Sequence, residues 1–171
     1  MEEIILQRKL EALGQNGTFV RKDGKTFLQL DCENAKELSM KWGEKLYPFT
    51  KTGKKWILEL PFSTPVNYVQ ICVDGQEVLS PDLPIAHGYC RPYNYIELPD
   101  EEGLFELRDV PHGTLTQEFY KSKISDNWEK LIVYLPPCVP SAGLPVLYLQ
   151  HGFGESEISW STTGKVNFLM D

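Results

Sequence analysis

The sequence predicts a mainly β chain: an immunoglobulin-like (early-set) β-sandwich over residues 17–108, with a short helix or extension over 1–16 before it and the first strands of a second, incomplete domain over 109–171 after it. Three observations predict this. Short alternating segments follow one another between glycine-containing turns from residue 17 to about residue 98. The pattern is then broken near Pro111 and Gly113 and resumes in a different grammar. Finally, an almost unbroken apolar run at 145–150 feeds directly into His151-Gly152-Phe153-Gly154.

Taken in order, Leu6, Leu10 and Leu13 stand at helical spacing and Gly14 follows where a helix would stop, so residues 2–13 read as a short amphipathic helix. Residues 18–22, the pair Asp23-Gly24 and residues 25–32 are written as a β-hairpin. Further strands are expected at 37–42, 45–49, 55–60, 68–73 and 77–79, with Gly43-Glu44 and Asp74-Gly75 as turns. Trp56, Leu58 and Leu60 share one face of their strand. Val69, Ile71 and Val73 likewise oppose Tyr68, Gln70 and Cys72. Six or seven such strands in roughly 80 residues point to an immunoglobulin-like sandwich.

Residues 80–92 hold Pro81, Pro84, Gly88 and Pro92, too many breakers for a regular element, and 93–98 reads as one more strand. In the second region, 115–122 alternates, Ser125-Asp126-Asn127 turns, and 128–135 is a mainly apolar strand closed by Pro136-Pro137, which makes an antiparallel pair. Residues 145–150 are apolar enough to be buried on both faces.

Composition bounds the function. Of 171 residues, 42% are hydrophobic, 12% aromatic and 24% charged, which is a globular balance. A formal net charge of −7 with scattered lysines argues against a nucleic-acid partner, which needs a basic stripe. The cluster Lys51, Lys54 and Lys55 around Gly53 reads as a solvated turn. The opening Met-Glu-Glu-Ile-Ile-Leu lacks the basic start of a secretory signal, and no apolar run approaches the ~20 residues of a membrane span, so a cytoplasmic chain without a membrane partner is expected. Cys32, Cys72, Cys90 and Cys138 are widely spaced and read as reduced structural thiols. His87 and Cys90 have a chelating spacing but no further ligands nearby in sequence, so neither a metal nor another cofactor is expected.

The chemistry resides in the glycine loop. Acyl transfer from an ester passes through a tetrahedral oxyanion, which needs backbone N–H donors fixed where the charge develops, and glycines let the backbone make that turn. A loop of the form His-Gly-x-Gly after the third strand of a hydrolase sheet supplies one such donor.

The segments Val110-Pro111-His112-Gly113-Thr114, Val133-Tyr134-Leu135-Pro136-Pro137 and Pro145-Val146-Leu147-Tyr148-Leu149-Gln150-His151-Gly152, followed by Trp160, resemble the serine esterase family that includes esterase D, enterochelin esterases and feruloyl or acetylxylan esterases. The stretch from Trp56 through Val73-Asp74-Gly75 to Arg91-Pro92 and Asn94 is similar to the sandwich, related to glycogen-binding modules, that precedes the hydrolase in many members. The resemblance implies that residues 109–171 begin an α/β-hydrolase. It also implies that the Phe153 N–H is an oxyanion donor, that Gly152 and Gly154 shape the loop, that His151 supports it and that Trp160 lines a substrate pocket. His112, at the domain boundary, reads as structural.

The departure from the family lies in the catalytic residues. Gly-x-Ser-x-Gly occurs nowhere: Ser156 follows Gly154-Glu155, but Ile158 stands where the closing glycine belongs. The acid and histidine follow the nucleophile in chain order in this fold, so no catalytic triad residue is assigned within 1–171. The expected function is therefore that of an amino-terminal fragment of a serine carboxylic-ester hydrolase acting on carbohydrate-linked or siderophore-type esters. The complete enzyme would take a small-molecule or glycan ester, and the chain as given would be inactive. The alternative is a non-catalytic carbohydrate-binding or scaffold sandwich, with Trp42, Tyr47, Trp56, Tyr89, Tyr93 and Tyr95 as the aromatic pool for a glycan. A buried-type strand at 145–150 without neighbours leaves an apolar face and unpaired edge groups, so homo-oligomerisation or poor solubility of the isolated chain is expected, against which a monodisperse monomer in light scattering would count.

Overall fold

Asp-Gly pairs supply the left-handed backbone that a two-residue hairpin needs, and the chain folds back at both of them. Asp23 and Gly24 (φ 51° and 75°) join β1 (Thr18–Lys22) to β2 (Lys25–Asp31) in register Thr18 to Gln29 through Lys22 to Lys25. Asp74 and Gly75 (φ 50° and 81°) join β7 (Val66–Val73) to β8 (Gln76–Val78). The Asp74 carboxylate accepts the N–H groups of Glu37 and Lys36 (2.9 and 2.8 Å), and these backbone bonds hold it below the usual carboxylate range. The computed structural model describes residues 18–100, 102–140 and 143–171. The helix expected at 2–13 lies outside them.

The remaining strands are β3 (Leu38–Trp42), β4 (Lys45–Pro48), β5 (Thr50–Thr52), β6 (Lys55–Glu59), β9 (Ile85–Gly88), β10 (Arg91–Glu97), β11 (Thr114–Lys121) and β12 (Trp128–Leu135). Two short helices follow, α1 (Ser159–Thr162) and α2 (Val166–Met170). One sheet has the order β1-β2-β6-β5. A second runs β4-β3-β7-β10-β9 with β8 paired to β7, and β11 pairs β12 alone. The registered pairs are antiparallel throughout.

The first two sheets share one hydrophobic core. Phe19, Leu28, Leu30, Trp56 and Leu58 come from the first, and Leu38, Met40, Val69, Ile71 and Ile96 from the second, all buried. That is a β-sandwich. Each fully buried side chain of this type stabilises the fold by about 1.5–3 kcal/mol relative to its exposed state. The alternation of Trp56, Leu58 and Leu60 predicts their burial correctly. The Trp56 indole N–H donates to the Cys32 carbonyl (2.9 Å), which satisfies its one polar atom.

Two strands depart from expectation. Residues 50–52 form β5, because the buried Phe49 turns the chain from the second sheet to the first and the strand continues there against β6. Lys51 is therefore a strand residue rather than part of a turn, with its ammonium donating to the Glu33 carbonyl (3.2 Å). Residues 85–88 form β9 in the stretch rich in breakers. Asn94, fully buried on β10, makes this possible. Its Oδ1 accepts the Ser80 N–H (2.8 Å), and its amide donates to the carbonyls of Ser80 (3.0 Å) and Leu83 (3.1 Å), so one side chain supplies the partners that an irregular buried loop lacks.

By packing, the described residues fall into two compact units. One holds those through Ala86 and those from Pro92 to Asp100, and the other holds His87–Arg91 and those from Glu102 onward. In the second unit the β11–β12 pair runs in register from Thr114 opposite Leu135 to Lys121 opposite Trp128. Residues 145–150 carry no strand pairing and every one of them is exposed, with Val146 at 70% and Tyr148 at 88%. The strand expected at 145–150 is not formed among the described residues, while its apolar face is exposed, as expected for such a run without neighbouring strands.

Candidate active-site loop

After Gln150 the chain closes a tight turn. Glu155 N–H donates to the Gly152 carbonyl (3.2 Å), and the Glu155 carboxylate accepts the Gly152 N–H (3.0 Å). His151 Nδ1 donates to the Gly152 carbonyl (2.9 Å), so the ring is turned onto the backbone of its own loop. Phe153 stands at the apex, 91% exposed, with its N–H making no hydrogen bond among the described residues. A backbone donor held on a closed turn without an acceptor is the arrangement an oxyanion site requires.

Gly154 fixes the far side of the turn. Its φ of +74° favours glycine, and there is no room for a side chain: a Cβ would lie 2.8 Å from Tyr89 Cα and would overlap the Cys90 nitrogen. The Cys90 N–H donates to the Gly154 carbonyl (3.0 Å). Tyr89 and Cys90 are the central residues between β9 and β10, both left-handed (φ 51° and 64°), a conformation that costs non-glycine residues about 1–3 kcal/mol each.

Trp160 lies in α1, half exposed, and its indole N–H donates to the Gln150 carbonyl (3.0 Å), tying the helix to the end of the 145–150 segment. Lys130 on β12 pairs with Glu157 (2.6 Å), and that bond holds the Glu157 carboxyl below its usual range. Ser156 donates its N–H to Ser159 Oγ (3.1 Å), and no bond joins it to His151.

A second polar cluster surrounds Asp171, whose side chain is 3% exposed. It accepts the Gly113 N–H (2.9 Å) and the Tyr134 hydroxyl (2.8 Å) and meets His112 Nδ1 at 2.6 Å. The other nitrogen of His112 faces the Arg108 carbonyl at 3.0 Å, so both ring nitrogens look at acceptors. Arg108 itself donates to the Phe168 carbonyl (3.0 Å). His112 thus binds the start of β11 to the end of α2. Burial alone would push the Asp171 carboxyl up, but its three hydrogen bonds outweigh that and hold it below the usual range. The Tyr134 hydroxyl is raised, first by burial and then by this carboxylate.

The sign of the pH effect follows. A depressed folded-state value contributes stability that is fully present above the unfolded carboxylate value of about 4 and is lost as pH falls through the folded one. We expect Asp171→Asn to flatten the acid limb of the unfolding curve below about pH 4 relative to wild type. An unchanged acid limb in a urea titration would show the cluster to be energetically idle.

In the sandwich, Trp56 and Tyr95 are buried, and burial raises the Tyr95 hydroxyl to about 12. Trp42 packs on Phe62 and Tyr47 (ring centroids 5.0 and 6.4 Å), and Tyr93 meets Tyr68 edge-on (6.1 Å). Of the aromatic pool named from sequence, Tyr89 is the exposed member, at 73%. Among the described residues no three His, Cys, Asp or Glu gather as a metal site, the four cysteines are unpaired, and no helix is long and apolar enough to cross a membrane.

The features that composition and motif did not reveal are the Tyr89-Cys90 tip against Gly154, the Glu155 brace and the Asp171 cluster. Only Glu155 has a sequence signal, a carboxylate three residues after the N–H it caps.

No family model matches the chain. It is similar to the endo-1,4-beta-xylanase/feruloyl esterase of Xylanibacter ruminicola, 28% identical over 172 residues, an overlap that takes in 92% of this chain and 24% of that protein. The chain thus spans about a quarter of that relative's length, and the likeness is to a protein named for both a xylanase and a feruloyl esterase activity.

Proposed function

We propose that this chain is the amino-terminal part of a serine carboxylic-ester hydrolase. In this reading the sandwich is of the immunoglobulin-like type and spans residues 17–108, and residues 109–171 open an α/β-hydrolase domain. The observation that carries it is the closed turn of residues 152–155, which presents the Phe153 N–H without an acceptor among the described residues at the end of an apolar segment. The likeness to a xylanase/feruloyl esterase supports it independently.

Each residue then has a role. The Phe153 N–H donates to the oxyanion as the ester carbonyl becomes tetrahedral, with a second N–H coming from the residue after the nucleophile. Glu155 and His151 hold the turn by its own backbone, and Gly154 lets it sit against Cys90. Trp160 stands beside the loop, its ring available to an acyl or aromatic group and its N–H tied to Gln150. The nucleophile, acid and histidine belong to chain beyond these 171 residues, and the favoured substrate is an ester of a carbohydrate-linked acid.

The test is hydrolysis of p-nitrophenyl acetate and a feruloyl ester by this chain and by the chain extended through the downstream reading frame. Turnover by the extended form alone, abolished by a serine-directed reagent, is the expected result. Lack of turnover by both forms would remove the esterase reading.

A further inference from the structure

Among the described residues, three turns have two central residues with left-handed backbone at both: Asp23-Gly24, Asp74-Gly75 and Tyr89-Cys90. Two-residue hairpins of this kind favour Asn or Asp followed by Gly, because those residues tolerate positive φ. The first two turns obey that preference. The third places a bulky aromatic and a cysteine there, where an aromatic is an outlier.

Burial does not account for the exception. Tyr89 is 73% exposed, Cys90 is exposed, and Cys90 forms no disulfide. A local rule broken without a gain in burial marks a position held for another purpose. The tip also has a defined neighbour: the backbone of Tyr89 and Cys90 lies against Gly154, with the Cys90 N–H bound to its carbonyl at 3.0 Å. Beside Gly154 stands Phe153, 91% exposed, with its N–H lacking an acceptor among the described residues. Two exposed aromatics are thus carried by segments pinned to each other at the candidate oxyanion loop.

We propose that Tyr89 is a specificity-determining residue of the ester site, supplying an aromatic wall for the flat acyl group of a hydroxycinnamoyl ester. The inference rests on the esterase reading of the loop. The Cys90 N–H is the positioning contact that keeps the wall in place, and the strained Tyr-Cys turn is tolerated because no Asp-Gly pair presents a ring there.

The experiment uses the full-length protein and its Tyr89→Asn and Tyr89→Phe variants. Calorimetric binding of ferulate is measured alongside the KM for a feruloyl and an acetyl ester of the same alcohol. Asparagine suits the turn, so Tyr89→Asn is expected to fold with an unchanged or higher Tm. It is also expected to weaken ferulate binding and raise the feruloyl KM by roughly two- to tenfold, the range of one aromatic contact, with the acetyl KM unmoved. Tyr89→Phe is expected to match wild type. Equal loss on both esters, or no change in ferulate binding and KM, overturns the proposal. If the wild type hydrolyses neither ester yet binds ferulate through Tyr89, the aromatic contact stands and the esterase reading falls. Absence of ferulate binding in a wild type that also fails to hydrolyse defeats both.

Discussion

Gly154→Ala in the full-length protein is expected to reduce ester turnover by about 10²–10³-fold, the loss that follows removal of one oxyanion donor. The reason is steric. An alanine Cβ at this position would lie 2.8 Å from Tyr89 Cα and run into the Cys90 nitrogen, and neither is a flexible side-chain end that can move aside. The φ of +74° adds strain of its own. The turn must therefore shift, the bond from Cys90 N–H to Gly154 O must lengthen or break, and the Phe153 N–H moves with it. Because the sandwich core lies in the other packing unit, its melting should change little. The check is kcat on p-nitrophenyl acetate together with amide exchange at Cys90. Faster exchange with unchanged kcat would separate the clamp from catalysis.

Asn94→Ala is expected to cost the sandwich about 3–5 kcal/mol, since it strips three buried backbone groups of their partners, and each group left unsatisfied costs about 1–3 kcal/mol with partial relief by water. The side chain is fully buried and bonds the Ser80 N–H and the carbonyls of Ser80 and Leu83. That loop also leads into β9, which pairs β10, so the loss should spread to the hairpin whose tip meets the glycine loop. Urea denaturation followed by tryptophan fluorescence measures it. A cost below about 1 kcal/mol, the worth of a single ordinary hydrogen bond, would mean that water replaces the amide at little expense.

Much of the sandwich is legible in the sequence because its signals are local. Asp23-Gly24 and Asp74-Gly75 announce their hairpins, and Trp56, Leu58 and Leu60 announce a buried face. Strand β9 is not legible, because Pro81, Pro84 and Gly88 are sound reasons to expect a loop and the compensating amide of Asn94 comes from a later strand. Strand β5 is hidden for a related reason: a change of sheet at Phe49 leaves no turn residue behind. The glycine loop shows in its motif, while its clamp does not. Tyr89-Cys90 carries none of the residues that mark a left-handed turn, and it lies 64 residues from Gly154. The Asp171 cluster is out of reach for the same cause, since His112 stands 59 residues away. The run at 145–150 is the converse case. Its pattern is that of a doubly buried strand, yet burial depends on neighbours, and none is present among the described residues.

The most direct measurement is fluorophosphonate labelling of the full-length protein, followed by peptide mapping and by NMR of the adduct. A single adduct on a serine outside residues 1–171, with the Phe153 amide proton shifted downfield as it meets the phosphonyl oxygen, is the predicted result. No adduct, or an adduct that leaves the Phe153 amide unmoved, would contradict the assignment of this turn as an oxyanion loop.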